Sequence, residues 1–292
     1  MTFTTHRQPS LTKALKESPF NGNITKCRAS RPATRVLGIA LLLQNGLLSA
    51  DPVQVRYMEG SIHGFLALRT MEGKLLAEGD LIQVTQGDRV TSELVFHFKD
   101  GSVDSDTAIF SQHLQFRLIS DHHIQKGPAF PKPMDVMIRA STGQVTVRFK
   151  DKGVEKVETT HLDLPPDLAN GIILDVLKNI SPETKETKLS YLAVTPKPRI
   201  VKLSIAPQGE ETFSVAGVRQ KAMRFVVKVE LGGLQGILAP MVGKEPADTN
   251  VWIAGGKAPA FVRSDGPSYL GAPIWSIQMA SPNWEQSHPV GR

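Results

Sequence analysis

The chain has 292 residues, of which 40% are hydrophobic, and a formal net charge of +6. A chain of this length can bury a core without disulfides or structural metals. The charge excess lies entirely in residues 1–50, where seven Lys and Arg side chains face one acid, Glu17. This leaves 27 of the 34 basic and 27 of the 28 acidic side chains for residues 51–292. Without a basic excess that part lacks the electrostatic footprint of nucleic-acid binding, so we expect no nucleic-acid partner.

Residues 1–50 are predicted to form a cleavable signal peptide. Val36–Ala50, which reads VLGIALLLQNGLLSA, is the longest apolar run in the chain. It is shorter than the roughly 20 apolar residues of a membrane-spanning helix, but it suits the apolar core of a secretory signal. Leu48-Ser49-Ala50 offers small residues to a signal peptidase, so we expect a periplasmic or secreted chain that begins near Asp51. Basic residues precede the run: Lys26, Arg28, Arg31 and Arg35.

The leader has two alternative interpretations. Residues 1–35 are basic and nearly free of acids, as in a mitochondrial transit peptide, and the apolar run could also be a buried or anchoring helix. Cys27, the only cysteine, precedes the run. The part after the leader therefore has no disulfide and no thiolate nucleophile or metal ligand.

From Val53 onward, short alternating runs separated by turn residues predict antiparallel strands. Arg89–Phe98 alternates apolar with polar residues, and Asp100-Gly101 after it is a hairpin turn. Strands about ten residues apart, joined by tight turns, predict a meander. The further predicted strands are Val103–Phe110, His113–Ile119, Asp135–Ala140, Val145–Lys150, Val154–Thr160, Lys188–Thr195, Arg199–Ala206, Thr212–Ala216, Ala222–Leu231 and Trp275–Met279.

One segment predicts a helix of about three turns near residues 166–180. It follows Leu164-Pro165-Pro166-Asp167, and Pro is favoured at a helix start. Four apolar residues recur at helical spacing: Leu168, Ile172, Val176 and Ile180. The predicted fold is mainly β, a strongly curved antiparallel sheet (half-barrel or barrel-like) over residues 51–280 with one short helix. Residues 281–292 are predicted to form a polar C-terminal tail.

No metal site is predicted. DGSVDSD, with Asp100, Asp104 and Asp106, lacks the glycine and distal glutamate positions of a calcium loop, so we interpret it as a hairpin turn with solvated acids. Adjacent His122 and His123 would point to opposite faces of a strand, which favours surface or loop histidines over zinc ligands. His97 and His113 are each expected to point outward.

Enzymatic activity is not expected to be the main function. Gly-x-Ser-x-Gly is absent, and the one Ser-x-x-Lys, Ser10–Lys13, lies in the leader. The Gly-rich segments at 231–236 and 254–257 lack the spacing of phosphate loops and are interpreted as bulges and turns. We expect no cofactor. A hydrolase built from distant residues remains a third hypothesis.

Four aromatic residues lie among Pro and Gly rather than in clear strand patterns. They are the candidate ligand-binding residues, because aromatic-rich irregular segments often line a groove. Core packing is the alternative interpretation. These residues are Trp252, Phe261, Tyr269 and Trp275.

The layout is similar to uncharacterised bacterial envelope proteins of unknown function, which in turn resemble the periplasmic lipoprotein-carrier half-barrel. The segments that carry this likeness are FKDGS at Phe98–Ser102, QKGPAFP at Gln125–Pro131 and LPPDLANG at Leu164–Gly171. The resemblance implies a groove for a hydrophobic ligand and assigns no site residue. The leading hypothesis is an exported envelope protein that binds or carries an apolar, lipid-like ligand without catalysis. The alternative is a structural or interaction protein with an envelope partner, touching the membrane only through its leader.

Overall fold

The computed structural model describes residues 52–194, 197–215, 218–230 and 246–280. The predicted signal peptide with Cys27 and Ser10–Lys13, the Gly-rich segment 231–236 and the predicted tail 281–292 lie outside these residues. The described part contains fourteen strands and one helix. The elements are β1 (Ile62–Thr70), β2 (Leu75–Gln86), β3 (Arg89–Phe98), β4 (Val103–Ser111), β5 (Arg117–Lys126), β6 (Met134–Arg139), β7 (Gln144–Asp151), β8 (Val154–His161), α1 (Ile173–Leu177), β9 (Thr187–Ala193), β10 (Arg199–Val215), β11 (Val218–Glu230), β12 (Thr249–Ala254), β13 (Ala260–Pro267) and β14 (Ile274–Ala280).

All these strands belong to one antiparallel sheet with the order β8-β7-β6-β5-β4-β3-β2-β1-β14-β13-β12-β11-β10-β9. Consecutive strands are neighbours except at two places: β1 pairs with β14, and the chain crosses from β8 to β9. The predicted mainly β fold with one short helix is confirmed. β8 and β9 are the two terminal strands and do not pair with each other, so the sheet is not closed.

The sheet curls on itself, as one long-range hydrogen bond shows. Gln125 Nε2 on β5 donates to the carbonyl oxygen of Ser268, which lies between β13 and β14, at 3.1 Å. Four strands, β4, β3, β2 and β1, lie between β5 and β14. Flat strands spaced about 4.8 Å apart would hold these residues more than roughly 20 Å apart. The strong curvature predicted from sequence is therefore present.

The interior-facing residues follow the alternation of the strands and form two clusters. The larger one spans most of the sheet and includes the segment around α1. The smaller one is rich in aromatic side chains and lies between β1–β3 and β14. The buried members of the smaller cluster are Leu66, Leu68, Ala77, Phe96, Phe98, Phe130 and Trp275.

The predicted strand Arg89–Phe98 coincides with β3, and its apolar face is turned inward. The predicted strand His113–Ile119 is wrong in its first half. Leu114 has a φ of 61° and a 74% exposed side chain, and β5 starts only at Arg117. The left-handed backbone at this position breaks the alternation. Four strands had no sequence prediction: β1, β2, β12 and β13.

The helix is shorter than the predicted span of 166–180. Gly171 has a φ of 66°, which is not helical, so regular α-helix begins only at Ile173. The four apolar residues that suggested the helix are nonetheless buried, because the irregular segment before α1 still packs them inward. They are Leu168, Ile172, Val176 and Ile180.

The segment before α1 also covers the outer edge of β9. The amide of Asn170 donates from Nδ2 to Leu192 O at 3.1 Å and accepts from Leu192 N at 2.7 Å, as a neighbouring strand would. Ser190 N donates to Asp167 O, and Ala169 N donates to Ser190 O. An open strand edge can pair with another chain, and this segment prevents such pairing at β9.

The N-terminal segment of the described chain is held against α1. Arg56 N and Tyr57 N both donate to Asn179 Oδ1 at 2.7 Å. Lys178 Nζ lies 2.7 Å from Glu59 Oε2 and 2.9 Å from Asp175 Oδ1, in a nearly buried ion cluster. None of the described helices is long and apolar enough to cross a membrane.

Candidate functional site

A partly open cleft of about 190 Å³ lies inside the curl, between β3–β5 on one side and β12–β14 on the other. Its wall is divided between two kinds of side chain. The apolar lining comes from β3 and β14: Leu94, Phe96, Trp275 and Ile277. The polar lining comes from β4, β5, β12 and β13: Asp104, Asp106, His123, Gln125, Thr249 and Ser264.

The two neighbouring strands β4 and β5 supply the ionisable groups. Asp104 and Asp106 share the inward face of β4 with buried residues further along the same strand, because side chains two residues apart point the same way. On β5, Gln125 lies directly opposite Asp104, and His123 lies opposite Asp106. Asp121, two residues before His123 and opposite Ala108, lies on the same inward face. The register thus sets three carboxyl groups and an imidazole side by side.

Asp104 is held by two side chains of β5. His123 Nε2 lies 2.8 Å from Asp104 Oδ1, and Gln125 Nε2 donates to Asp104 Oδ2 at 3.0 Å. The Asp104 side chain is only 14% exposed and that of His123 is 21% exposed. Both carboxylate oxygens therefore have donors, and the imidazole is fixed in its orientation.

The protonation of His123 follows from these neighbours. Burial lowers the pKa of an imidazole, but the hydrogen bond to Asp104 and the charges of Asp104 and Asp106 outweigh it, so the pKa of His123 is raised above 6.5. When the ring is protonated, it forms an ion pair with Asp104.

Asp106 and Asp121 form a second, like-charged pair. Asp121 is 3% exposed, and its pKa is raised well above 3.8 by burial, by the charge of Asp106 and by the hydrogen bond between the two carboxyl groups. Two adjacent buried carboxylates do not both ionise readily. Burial and the neighbouring Asp106 therefore favour the protonated form of Asp121.

Two residues that follow β8 along the chain lie near this pair. A side chain at Gly171 would meet Asp121 Oδ1 at 2.4 Å and Ala108 Cβ at 2.8 Å, so only glycine allows the backbone this close. The phenol of Tyr191 on β9 has a raised pKa because of its burial and the nearby carboxyl groups of Asp106 and Asp121. Its hydroxyl therefore stays uncharged.

The lining of the cleft carries more acids than bases. Two carboxyl groups, those of Asp104 and Asp106, lie beside a single imidazole, that of His123. No Lys or Arg belongs to the lining among the residues the structure describes. A negative group beside an apolar wall is complementary to a molecule with a cationic group and an apolar body.

Of the four candidate aromatic residues, only Trp275 belongs to the lining of the cleft. Trp275 lines the cleft, and Tyr269 packs against it with ring centroids 6.5 Å apart. Phe261 is partly buried and contacts both apolar clusters. Trp252 lies on the face of β12 opposite to the buried Val251 and Ile253. There its Nε1 donates to Glu211 Oε2 at 2.8 Å, and Arg263 stacks on its ring. A ligand-binding role for the four residues stays a prediction.

The interpretation of DGSVDSD as a turn with solvated acids is wrong for Asp104 and Asp106. Only Asp100 belongs to the turn, where its carboxylate accepts from Ser102 N. The preference for surface or loop histidines is wrong for His123, which is mostly buried on β5. Sequence did contain a signal: in the predicted strand Val103–Phe110, Asp104 and Asp106 fall on the same face as Phe110. Acids on the apolar face of a strand indicate a polar patch in the interior.

The remaining sequence predictions about sites concern the other histidines, one Gly-rich segment and metal binding. His122 and His123 do point to opposite faces, and the outward His122 meets Asp135 at 2.9 Å. His97 is exposed on β3, and His113 is exposed before β5. In the Gly-rich segment 254–257, Ala254 ends β12 and the other three residues belong to its connection with β13. Within the described ranges, no group of three His, Cys, Asp or Glu side chains is arranged to hold a metal ion.

Comparison with known proteins gives one structural similarity. No protein-family model matches the chain, and no curated protein matches it. A crystal structure from Brucella abortus, described as a beta-barrel-like protein of the domain of unknown function DUF1849, is similar with a TM-score of 0.40 and 7% identity. The match covers 76% of this chain and 98% of that one. At this level of similarity no property of that protein carries over.

Proposed function

We propose that the chain is an exported protein that binds a small amphipathic cation in the cleft. Asp106 is the counter-ion for the cationic group, and Phe96, Trp275 and Ile277 contact the apolar body. The observation that carries this proposal is a cleft that combines the acids of β4 with the apolar side chains of β3 and β14. At about 190 Å³ it is smaller than the 300–1,000 Å³ typical of drug-sized ligands, so it fits a short molecule or the head of a longer one.

This proposal modifies the hypothesis of an apolar, lipid-like ligand. A purely apolar ligand would leave Asp106 without water or a cation, and removing a carboxylate from water is costly. A lipid with a cationic head group would satisfy both parts of the wall. We therefore retain the hypothesis of a non-catalytic carrier and narrow its ligand to an amphiphile with a cationic head group.

Binding can be tested by titrating the full chain with hexylammonium in a calorimeter. Hexanol and hexanoate, which share the six-carbon body, are the matched ligands. We expect hexylammonium to bind at least about tenfold more tightly than either, a difference of about 1.4 kcal/mol, because only it pairs with a carboxylate. Equal binding of hexanol and hexylammonium would overturn the cationic class.

Two variants complete the test. Asp106→Asn keeps the shape of the side chain but removes the carboxylate. It should lower the hexylammonium affinity to that of hexanol. Asp80→Asn changes a half-exposed carboxylate outside the cleft and should leave the affinity unchanged. Unchanged binding by Asp106→Asn would contradict the proposal.

Export is the second part of the proposal. It is supported by the basic residues and apolar run of the leader, followed by small residues at Leu48–Ala50. N-terminal sequencing of the protein isolated from its own cells should begin near Asp51, in a periplasmic or secreted fraction. A chain that begins at Met1 in the cytoplasm would contradict export.

A hydrolase is the second candidate function. It is favoured by the Asp104–His123 pair, because a carboxylate that orients an imidazole is a common acid–base arrangement, and Ser264 lines the same cleft. Chromogenic esters offered to the full chain and to His123→Gln would test it. Hydrolysis that His123→Gln abolishes would support the hydrolase, whereas equal background rates would contradict it.

A further inference from the structure

The two terminal strands of the sheet differ in how their outer edges are treated. β9 is covered by the segment around Asn170, whose amide bonds both backbone groups of Leu192. β8 pairs with β7 only, and no described residue outside β7 forms a backbone hydrogen bond with it. Seven of its eight residues are exposed, among them Val154 and Val157 at 63% and 60%. An open edge with exposed valines is suited to accept another strand.

The alternation of hydrogen bonds along β8 determines which of its residues can bond another strand. β7 and β8 are joined by the two-residue turn Lys152-Gly153, both with positive φ, so Val154 and Asp151 form a hydrogen-bonded pair. At the other end of the hairpin, Leu162 N donates to Gly143 O. Leu162 and Val154 are both even-numbered, so the alternation of hydrogen bonds is unbroken along the hairpin. In an antiparallel ladder every second residue bonds the same neighbour. The even-numbered residues of β8 therefore bond β7, and Glu155, Val157, Thr159 and His161 direct their N–H and C=O groups to the open edge.

Symmetric pairing of two β8 strands sets residues that face the open edge opposite one another, and any residue of the strand can be the centre. Centring on Glu155, Lys156 or Glu158 sets two like charges opposite each other. Centring on Val154 or on one of the last three residues shortens the ladder, because residues at the other end of the strand find no counterpart. Centring on Val157 aligns the whole strand and sets Lys156 opposite Glu158 of the second copy, twice by symmetry. Opposite charges directly across a strand pair stabilise it, and like charges destabilise it.

We propose that β8 is a self-association edge, through which two copies of this chain pair antiparallel in the register centred on Val157. The two sheets then continue across the contact, with Val157 facing its own counterpart. The occupant is a second copy because the charges of β8 are complementary to themselves in this register, which the alternation of hydrogen bonds allows. The contact is short, so it forms a reversible dimer of modest affinity. This proposal is independent of ligand binding in the cleft.

Sedimentation velocity of the full chain over a series of concentrations tests it. The wild-type chain should pass from monomer to dimer as the concentration rises. Lys156→Glu and Glu158→Lys should each shift the transition to at least about tenfold higher concentration, because each sets like charges opposite one another. The double swap K156E/E158K should restore it, although Lys156 also loses its ion pair with Asp151 in the same hairpin.

Val157→Pro is the second, structural variant. It removes an N–H group that the monomer does not use, so melting should stay near the wild-type temperature while the dimer is lost. Lys221→Glu, at the exposed ion pair with Glu210 on another strand, should leave the dimer intact. A chain that stays monomeric at all concentrations would overturn the proposal. So would a dimer that survives Val157→Pro, or a double swap that restores nothing.

Discussion

His123 Nε2 lies 2.8 Å from Asp104 Oδ1, across the pair of strands β4 and β5 that supplies the floor of the cleft. Because the Asp104 bond opposes the effect of burial, we expect Asp104→Asn to lower the pKa of His123. An NMR pH titration of the His123 ring measures this directly. Asp135→Asn, which alters the partner of the outward His122, should leave the pKa of His123 unchanged.

The same bond makes a pH-dependent contribution to stability. Since the pKa of His123 is raised in the folded state, the ion pair stabilises the fold fully below the unfolded value of about 6.5. That contribution is lost as pH rises through the folded pKa. The difference in unfolding free energy between the wild type and Asp104→Asn should therefore be largest in mildly acidic solution and narrow with rising pH. A difference that is constant with pH would contradict this account.

Asp121 should have the opposite effect on stability. Its raised pKa means that the folded state holds a proton that the unfolded state releases above about 3.9. The carboxyl group thus destabilises the fold increasingly as pH rises from that value to the folded pKa. Asp121→Asn should be more stable than the wild type at neutral pH, and the advantage should shrink in acid.

Urea unfolding of both chains at several pH values measures this difference. Asp163→Asn, at an exposed residue before α1, is the matched control and should change little. A wild type that is more stable than Asp121→Asn at neutral pH would show that the charged carboxylate is needed for the fold.

Gly171 should tolerate no side chain. Alanine there would need a φ of 66° and would press on Asp121 and Ala108, so we expect Gly171→Ala to lose roughly 2–4 kcal/mol of unfolding free energy. Gly153→Ala is the matched control: its φ is 83°, but no atom lies within 4 Å of the added carbon. Its loss should be only about 1 kcal/mol. Equal losses in denaturant unfolding would contradict the close contact.

Asn170 should be required to cover the edge of β9. Asn170→Ala removes two buried hydrogen bonds and leaves Leu192 N and O unpaired, so the expected loss is roughly 2–4 kcal/mol. Asn250→Ala, which removes one partly exposed contact with Arg224, should cost about 1 kcal/mol or less. The loss is measured by thermal and denaturant unfolding, and a small effect at Asn170 would show that the edge is protected in another way.

Sequence was sufficient for the parts of the fold where one face of a strand is uniformly apolar. β3 was predicted to its ends because Val90, Phe96 and Phe98 alternate with polar residues. Sequence failed where the backbone leaves the regular pattern, at Leu114 and at Gly171, because a positive φ at one residue has no periodic signature. The curl could be expected in general, but the contact between Gln125 and Ser268 could not.

The cleft was missed for a different reason. Its acids lie on the inner face of β4, and an Asp in a strand next to a hairpin turn is normally assigned to the solvent. The register that brings His123 opposite Asp106 depends on an irregularity between Ile109 and Phe110, which shifts the pairing of β4 with β5. Such a shift is decided by tertiary packing and is invisible in a single sequence.

The central claim is that a cation binds in the cleft beside Trp275. The most direct test is to follow the indole N–H signals of the full chain by NMR during a titration with hexylammonium, with the signals assigned through Trp275→Phe and Trp252→Phe. The account predicts that the Trp275 signal shifts and saturates, that the outward Trp252 signal stays in place, and that Asp106→Asn abolishes the shift. A Trp275 signal that does not move, or one that moves equally in Asp106→Asn, would contradict it.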